Sequence, residues 1–129
     1  MTEKKRVLIL YTGGTMGMKH NEQGNLAPAP GYLAERIALL PEMAALGMPN
    51  VELKEYEQLI DSSCMGPANW ATIATDIENN YLLYDGFVVI MGTDTMAYAS
   101  SAMSFMLENL GKPVIFTGAH IFSTLLCMF

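Results

Sequence analysis

The sequence predicts an α/β fold in which a mostly parallel sheet is flanked by helices. Short apolar runs without polar interruption, at residues 7–10 and 87–90, are typical of strands covered on both faces. Stretches with apolar residues at helical spacing lie between such runs. Because strands and helices alternate along the chain, right-handed crossovers should make the strands parallel, as in Rossmann-like domains.

Each element has its own signal in the chain. We predict strands at residues 7–10, 51–56, 87–90 and 114–116. The strand at 51–56 alternates apolar and charged side chains, which indicates one exposed face. We predict helices at residues 32–40, 67–81 and 96–110. Pro67 suits a first helical position, and we expect Gly111 to cap the last helix. Residues 12–31 are rich in Gly and have no clear period, which predicts a long loop.

Composition favours one globular domain over the whole chain, residues 1–129. Hydrophobic residues make up 51% of the sequence and charged residues 16%, and the mean hydropathy is +0.24, which is the opposite of a disordered composition. The net charge is −6, so a nucleic-acid partner is not favoured. No apolar run approaches the ~20 residues that span a bilayer. We therefore expect a soluble, cytoplasmic protein without a membrane partner.

Metal and nucleotide sites are not indicated. Cys64 and Cys127 form no CxxC pair, and neither His20 nor His120 has a partner at metal-ligand spacing. The glycine-rich segment at 12–15 has neither the Gly-x-Gly-x-x-Gly spacing nor the Gly-Lys-Ser/Thr ending of a phosphate-binding loop, so nucleotide binding is not favoured. We therefore expect no metal and no cofactor.

Polar or glycine-rich segments follow the predicted strands, at residues 12–15, 61–63, 92–95 and 117–118. The carboxyl ends of parallel strands lie along one edge of a sheet, and ligands bind there. The sequence therefore predicts that these segments meet in one site.

Each segment also has a purely structural explanation. Residues 12–15 could be a tight turn, or a loop whose backbone amides approach a substrate oxygen while Thr15 presents a hydroxyl. Asp94 could complement a helix dipole, or receive a ligand ammonium beside the hydroxyl of Thr93. Residues 61–63 could be a turn and cap, or a carboxylate beside hydroxyls that suits the head group of an amino acid.

Taken in order, these segments resemble the asparaginase family, most closely its type I cytoplasmic members. The similar stretches are Tyr-Thr-Gly-Gly-Thr-Met-Gly-Met at 11–18, Asp-Ser-Ser at 61–63, Gly-Thr-Asp-Thr-Met-Ala-Tyr at 92–98, and 104–113 with 117–118. The resemblance runs from about residue 6 to about residue 119. It implies hydrolysis of the side-chain amide of L-asparagine to L-aspartate and ammonia, without metal or cofactor.

The resemblance also implies roles for individual residues. Thr15 resembles the nucleophile that forms a threonyl ester, and Thr93 resembles a second catalytic threonine. Asp94 resembles a ligand of the substrate amino group that also takes part in proton relay. The residues that resemble substrate-binding positions are Asp61, Ser62, Ser63, Gly14 and Gly92. Backbone amides beside the glycines would stabilise the oxyanion.

Several positions depart from the family pattern. A Lys that hydrogen-bonds the second threonine in the family lies beyond residue 129, and a loop Tyr falls near Asn25, with Tyr32 as an open alternative. Met91 and Cys64 also differ from the common residues. From 120 to 129 the resemblance is lost. We therefore expect a truncated N-terminal domain with an aberrant tail, weak or absent turnover, and poor solubility from an unpaired edge at 114–117.

Other functions stay open at this point. One is the asparaginase-like subunit of a tRNA-dependent amidotransferase, which carries an extra region before the first motif, whereas here that motif begins at Thr12. Another is a non-catalytic module that binds an amino acid. The resemblance further implies a homo-oligomer for a full-length family member.

Overall fold

A computed structural model describes residues 3–119 of the chain, so the predicted aberrant tail at 120–129 lies outside the described residues. The strands are β1 Arg6–Tyr11, β2 Met18–His20, β3 Leu26–Pro28, β4 Asn50–Glu55, β5 Gly86–Ile90 and β6 Val114–Thr117. The helices are α1 Tyr32–Ala38, α2 Pro67–Asn80 and α3 Met96–Met106. No helix within the described range is long and apolar enough to cross a membrane.

The centre of the molecule is a 4-stranded sheet in the order β4-β1-β5-β6. Every pairing in this sheet is parallel, as the uninterrupted apolar runs predicted. The predicted α/β class is therefore confirmed. The chain passes from β1 to β4 on one side and then crosses to β5 on the other side of β1. The strand order thus reverses between β1 and β5, and such a switch point opens a crevice at the carboxyl ends of the two strands.

The two faces of the sheet are covered unequally. Alternate residues of a strand point to opposite faces, so Leu8 and Leu10 pack with α2 and α3 in the larger core cluster. Ile73 of α2 and Met103 of α3 are buried in the same cluster. The opposite face carries a smaller cluster of buried residues, formed by Tyr11, Leu33 and Ile90. The sheet is therefore anchored mainly by the α2 and α3 layer.

The predicted long loop at 12–31 is partly wrong, because β2 and β3 form an antiparallel hairpin there. Its turn is held by the Asn21 side chain, which accepts hydrogen bonds from the main-chain N–H groups of Gln23 at 3.0 Å and Asn25 at 2.9 Å. Gly24 takes a φ of 79°, which glycine adopts without steric cost. Strands this short carry too little hydrophobic pattern to be recognised against the Gly-rich background.

The predicted cap at Gly111 is also wrong, since α3 ends at Met106 rather than at residue 110. Asn109 takes the positive φ of 54° in this segment. The Gly111 N–H instead donates to the Tyr81 hydroxyl at 2.7 Å. The Lys112 ammonium donates to the carbonyl oxygens of Tyr81 and Tyr84. These long-range bonds draw the chain toward the end of α2 and away from the axis of α3.

We predict that Ile73→Ala lowers the free energy of unfolding by about 2–5 kcal/mol, because it leaves a cavity in the larger cluster. Leu82→Ala is the matched control, since Leu82 is 93% exposed and should change that free energy by less than about 0.5 kcal/mol. Urea unfolding followed by circular dichroism measures both. Equal losses in the two variants would contradict the assignment of the core.

Candidate active site

The loops that follow β1 and β5 are in direct contact. The Thr12 N–H donates to the carbonyl oxygen of Ile90 at 2.9 Å, which continues the pairing of the strands into the loops. Gly14 then takes a φ of 92°, and a Cβ added to it would lie 2.6 Å from the nitrogen of Gly92. Only glycine combines this backbone conformation with so close an approach. The two loops therefore meet at the switch point of the sheet.

Ser62, in the loop after β4, is hydrogen-bonded to the loop after β5. Its side chain is 4% exposed, and its Oγ accepts a hydrogen bond from the Asp94 N–H at 3.2 Å. The Thr95 hydroxyl donates to the Ser62 carbonyl oxygen at 2.6 Å. A Cβ on Gly92 would lie 2.5 Å from the Ser62 Oγ. These contacts set the position of Asp94 relative to the loop after β4.

Thr15 lies at the start of a short 3-10 helix, Thr15–Gly17, that follows the glycines. Its hydroxyl donates to the carbonyl oxygen of Ala119 at 2.6 Å, just beyond the end of β6. Gly118, before Ala119, packs so closely on the Met91 carbonyl that a side chain there would overlap it. All the segments that the sequence singled out therefore meet at one end of the sheet.

The converging loops enclose a cavity of about 460 Å³, which is within the range of small-molecule sites. Its lining residues are Gly14, Thr15, Met18, Pro28, Leu59, Ile60, Asp61, Ser62, Gly92, Thr93, Asp94 and Ala119. All the predicted site residues except Ser63 line this cavity. Thr15 and Thr93 are half-buried, whereas Asp61 and Asp94 are exposed. The two threonines are thus less exposed to solvent than the two aspartates.

Ser63 lies beside the cavity and supports Asp61. Its N–H and its hydroxyl both donate to the Asp61 Oδ1, at 2.9 and 2.8 Å. These hydrogen bonds, the main-chain one first, hold the pKa of Asp61 below its ordinary value. Asp61 is therefore kept ionised toward lower pH.

The charges of the cavity have one sign. Asp61 and Asp94 are the charged residues among those that line it, and no Lys, Arg or His is among them in the described part of the chain. Two carboxylates suit a ligand ammonium, while an anionic ligand group would need hydroxyl or main-chain donors. Between residues 3 and 119, no cluster of three or more His, Cys, Asp or Glu side chains could hold a metal ion.

Some lining residues were not among the site residues predicted from the sequence, although Met18 ends the family-like stretch at 11–18. Met18 and Pro28 face each other in the register of the hairpin and form a wall of the cavity. Leu59 and Ile60 also contribute, because the Ile60 N–H donates to the Thr12 carbonyl oxygen at 2.7 Å and draws that segment inward. Ala119 also lines the cavity, and its carbonyl oxygen accepts the hydrogen bond from the Thr15 hydroxyl.

The two candidates for the loop tyrosine position lie elsewhere. Asn25 is in the turn of the hairpin, where its N–H is bonded to Asn21. Tyr32 is the first residue of α1. Neither is among the residues that line the cavity.

The fold and the cavity define an open-sheet α/β domain whose crevice carries hydroxyls and carboxylates for a small ligand. A family model described as asparaginase, N-terminal, matches residues 6–126. The chain therefore belongs to the asparaginase family and corresponds to its N-terminal part.

Individual relatives agree with this assignment. L-asparaginase 1 of Escherichia coli (strain K12) is 54% identical over 119 residues, which cover 92% of this chain and 35% of that protein. The crystal structure of L-asparaginase I from Vibrio cholerae O1 biovar eltor str. N16961 superimposes with a TM-score of 0.85 at 50% identity, and covers 96% of this chain and 37% of that chain.

A more distant relative is a component of the glutamyl-tRNA(Gln) amidotransferase of Pyrococcus abyssi. It is 40% identical over 117 residues, which cover 88% of this chain and 26% of that protein. The chain thus spans 35% of the length of the first curated relative given above and a smaller share of the amidotransferase component.

We predict that Gly14→Ala destabilises the chain more than Gly24→Ala. Both glycines have a positive φ, which should cost alanine about 1–3 kcal/mol. A Cβ at Gly24 meets nothing within 4 Å, whereas at Gly14 it would lie 2.6 Å from the Gly92 nitrogen. This overlap should cost about 1–3 kcal/mol more. Urea unfolding of both variants tests the contact between the loops, and equal losses would refute it.

We predict that Ser63→Ala raises the pKa of Asp61 toward its ordinary value, because one of two hydrogen bonds to the carboxylate is lost. A carboxyl whose pKa is lowered by folding stabilises the fold above its unfolded-state pKa, and this contribution is lost as the pH falls through the folded-state pKa. In the variant, Asp61 should become protonated at a higher pH, and its contribution to stability should be lost at that higher pH. A ¹³C NMR titration of the side-chain carboxyl measures this, with Ser101→Ala as the control. An unchanged midpoint in Ser63→Ala would show that the hydroxyl has no effect.

Proposed function

We propose that this chain is the nucleophile-bearing and substrate-binding part of an L-asparaginase. Such an enzyme converts L-asparagine and water to L-aspartate and ammonia through a threonyl acyl-enzyme. The observation that carries the proposal is the cavity at the switch point, which is lined together by Thr15, Thr93, Asp94, Asp61 and Ser62. Membership of the asparaginase family supports it.

The charges of the cavity suit the head group of an amino acid. The carboxylates of Asp61 and Asp94 would receive the α-ammonium group by charge-assisted hydrogen bonds. The Ser62 Oγ already accepts a hydrogen bond from the Asp94 N–H, but a hydroxyl also carries one proton to donate. That proton would serve the α-carboxylate. The amide side chain would then extend toward the half-buried threonines.

The hydroxyl of Thr15 would attack the carbon of the side-chain amide. A C–O bond forms, the C–N bond breaks, and ammonia leaves with the proton that the hydroxyl gives up. Water then cleaves the ester, which releases L-aspartate and restores the hydroxyl. Main-chain amides beside Gly14 and Gly92 would stabilise the oxyanion, because fixed dipoles there need no reorganisation during the reaction. Thr93 would supply the second hydroxyl and Asp94 a place in the proton relay.

The activation of Thr15 limits turnover by this chain. Its hydroxyl donates to the Ala119 carbonyl oxygen, which orients the oxygen but does not remove the proton. A hydroxyl is a weak nucleophile without a base, and no Lys or His is among the described residues that line the cavity. The resemblance assigns the Lys partner of Thr93 to a position beyond residue 129. We propose that the 129 residues alone turn over weakly or not at all.

The resemblance also bears on the cellular location and the oligomeric state of the protein. We propose that it belongs to the cytoplasm and that the complete enzyme is a homo-oligomer, as the similarity to type I asparaginases implies. The amidotransferase is less favoured as a model, since identity to its component in Pyrococcus abyssi is 40%, against 54% for L-asparaginase 1.

We predict that the purified chain binds L-aspartate and that Asp94→Asn weakens binding at least tenfold. The substitution keeps the shape of the side chain and removes the charge that pairs with the ammonium, and a tenfold change equals about 1.4 kcal/mol. Isothermal titration calorimetry measures both, with Glu22→Gln, in the exposed hairpin turn, as the charge-matched control. Equal affinity of wild type and Asp94→Asn would contradict the assigned role of Asp94.

We predict that the chain releases ammonia from L-asparagine at least 10²-fold more slowly than the E. coli L-asparaginase 1 to which it is similar, since positioned proton transfer contributes about 10²- to 10⁴-fold. Any release that is detected should vanish in Thr15→Val and persist in the control Thr72→Val, whose threonine is exposed on α2. A coupled ammonia assay measures the rates. Release that survives in Thr15→Val would exclude Thr15 as the nucleophile.

A further inference from the structure

Tyr11 lies directly beneath the turn that carries Thr15. It is the last residue of β1, and its side chain is 0% exposed. Its hydroxyl donates to the carbonyl oxygen of Gly14 at 2.8 Å. The phenol therefore reaches past Thr12 and Gly13 to hold the peptide group that precedes Thr15.

Gly17 lies against the same phenol at the other end of the turn. A Cβ on Gly17 would overlap the phenol oxygen and would lie 2.5 Å from the Cε1 of Tyr11. The absence of a side chain at Gly17 is thus what leaves room for the ring. The turn from Gly14 to Gly17, with Thr15 in it, rests on the ring of Tyr11.

The phenol can act as a donor at every physiological pH. Burial raises the pKa of Tyr11 to about 12, and a hydrogen bond from the Gly17 main chain offsets part of that rise. The hydroxyl therefore stays protonated, and its single proton is directed to the Gly14 carbonyl oxygen.

A fixed carbonyl matters here because Gly14 has no side chain to restrict its backbone. Glycine populates positive and negative φ about equally, so the peptide between Gly14 and Thr15 could otherwise rotate. Rotation of that peptide would turn Thr15 as a unit and would break the bond from its hydroxyl to Ala119. The bond from Tyr11 opposes this rotation.

We propose that Tyr11 is a positioning residue for Thr15: its phenol fixes the Gly14–Thr15 peptide and thereby keeps the Thr15 hydroxyl in one orientation at the cavity. The catalytic meaning of this orientation rests on the proposed function, whereas the orientation itself does not. Tyr11 acts through the main chain and does not line the cavity.

The test compares Tyr11→Phe with the wild-type chain and with Tyr98→Phe, whose tyrosine is 70% exposed. Three-bond NMR couplings report χ1 of each threonine in the labelled, ligand-free chain. We expect one χ1 rotamer for Thr15 in wild type and Tyr98→Phe, and averaging over rotamers in Tyr11→Phe. Thr12 is the internal control, because its hydroxyl is bonded to Ile90 and should keep one rotamer throughout.

An unchanged rotamer of Thr15 in Tyr11→Phe would overturn the proposal. Loss of order at Thr12 and Thr15 together would also overturn it, because the effect would then be general and structural. If Tyr11→Phe does not fold, Gly17→Ala takes its place in the test. The added methyl group of Gly17→Ala would push the Tyr11 ring away from the turn while the hydroxyl is kept. Averaging at Thr15 is again the expected result, and a single rotamer is the contrary one.

Binding separates this proposal from the proposed function. We expect Tyr11→Phe to raise the Kd for L-aspartate about 3- to 10-fold, the effect of one hydrogen bond, and to have no effect in a Thr15→Val background, since coupled residues are not additive. Equal effects in both backgrounds would contradict action through Thr15. If the wild-type chain does not bind L-aspartate, the proposed function is refuted. If Tyr11→Phe still averages the Thr15 rotamers in that case, the positioning role of Tyr11 remains supported.

Discussion

The site depends on one close approach of main chain to main chain, between the loops that follow β1 and β5. Gly14 and Gly92 approach so closely that a single added carbon would lie 2.6 Å from the nitrogen across the gap. Parallel pairing of β1 with β5 brings these loops to the same edge, and the absence of side chains lets them touch. The threonines that follow each glycine are thereby placed at one cavity.

Charge and hydrogen bonding then give the cavity its chemical character. Ser62 crosslinks the loops through the Asp94 N–H and the Thr95 hydroxyl, and Asp61 is held ionised by hydrogen bonds from Ser63. The result is a cavity lined by two exposed aspartates and two half-buried threonines.

Much of this arrangement could be predicted from the sequence, because the relevant signals are local. Uninterrupted apolar runs mark buried parallel strands, and polar segments after such strands must share an edge, so Thr15, Thr93 and Asp94 could be placed together. The cavity wall formed by Met18 and Pro28 could not be predicted, because strands β2 and β3 are too short to show an alternating hydrophobic pattern. Nor could the end of α3, which is set by bonds from Gly111 and Lys112 to the distant end of α2. Each of these bonds joins a main-chain group to a side chain about 30 residues away in the sequence, so no local pattern marks it.

We infer from the structure that the loops after β1 and β5 lie in contact in solution. A nuclear Overhauser effect between an α-proton of Gly14 and the amide proton of Gly92 measures this directly, because it is observed only for protons within about 5 Å. We predict a clear cross-peak in the ligand-free chain. Its absence, with both glycines assigned and the sheet pairing of β1 with β5 intact, would contradict the account of the site.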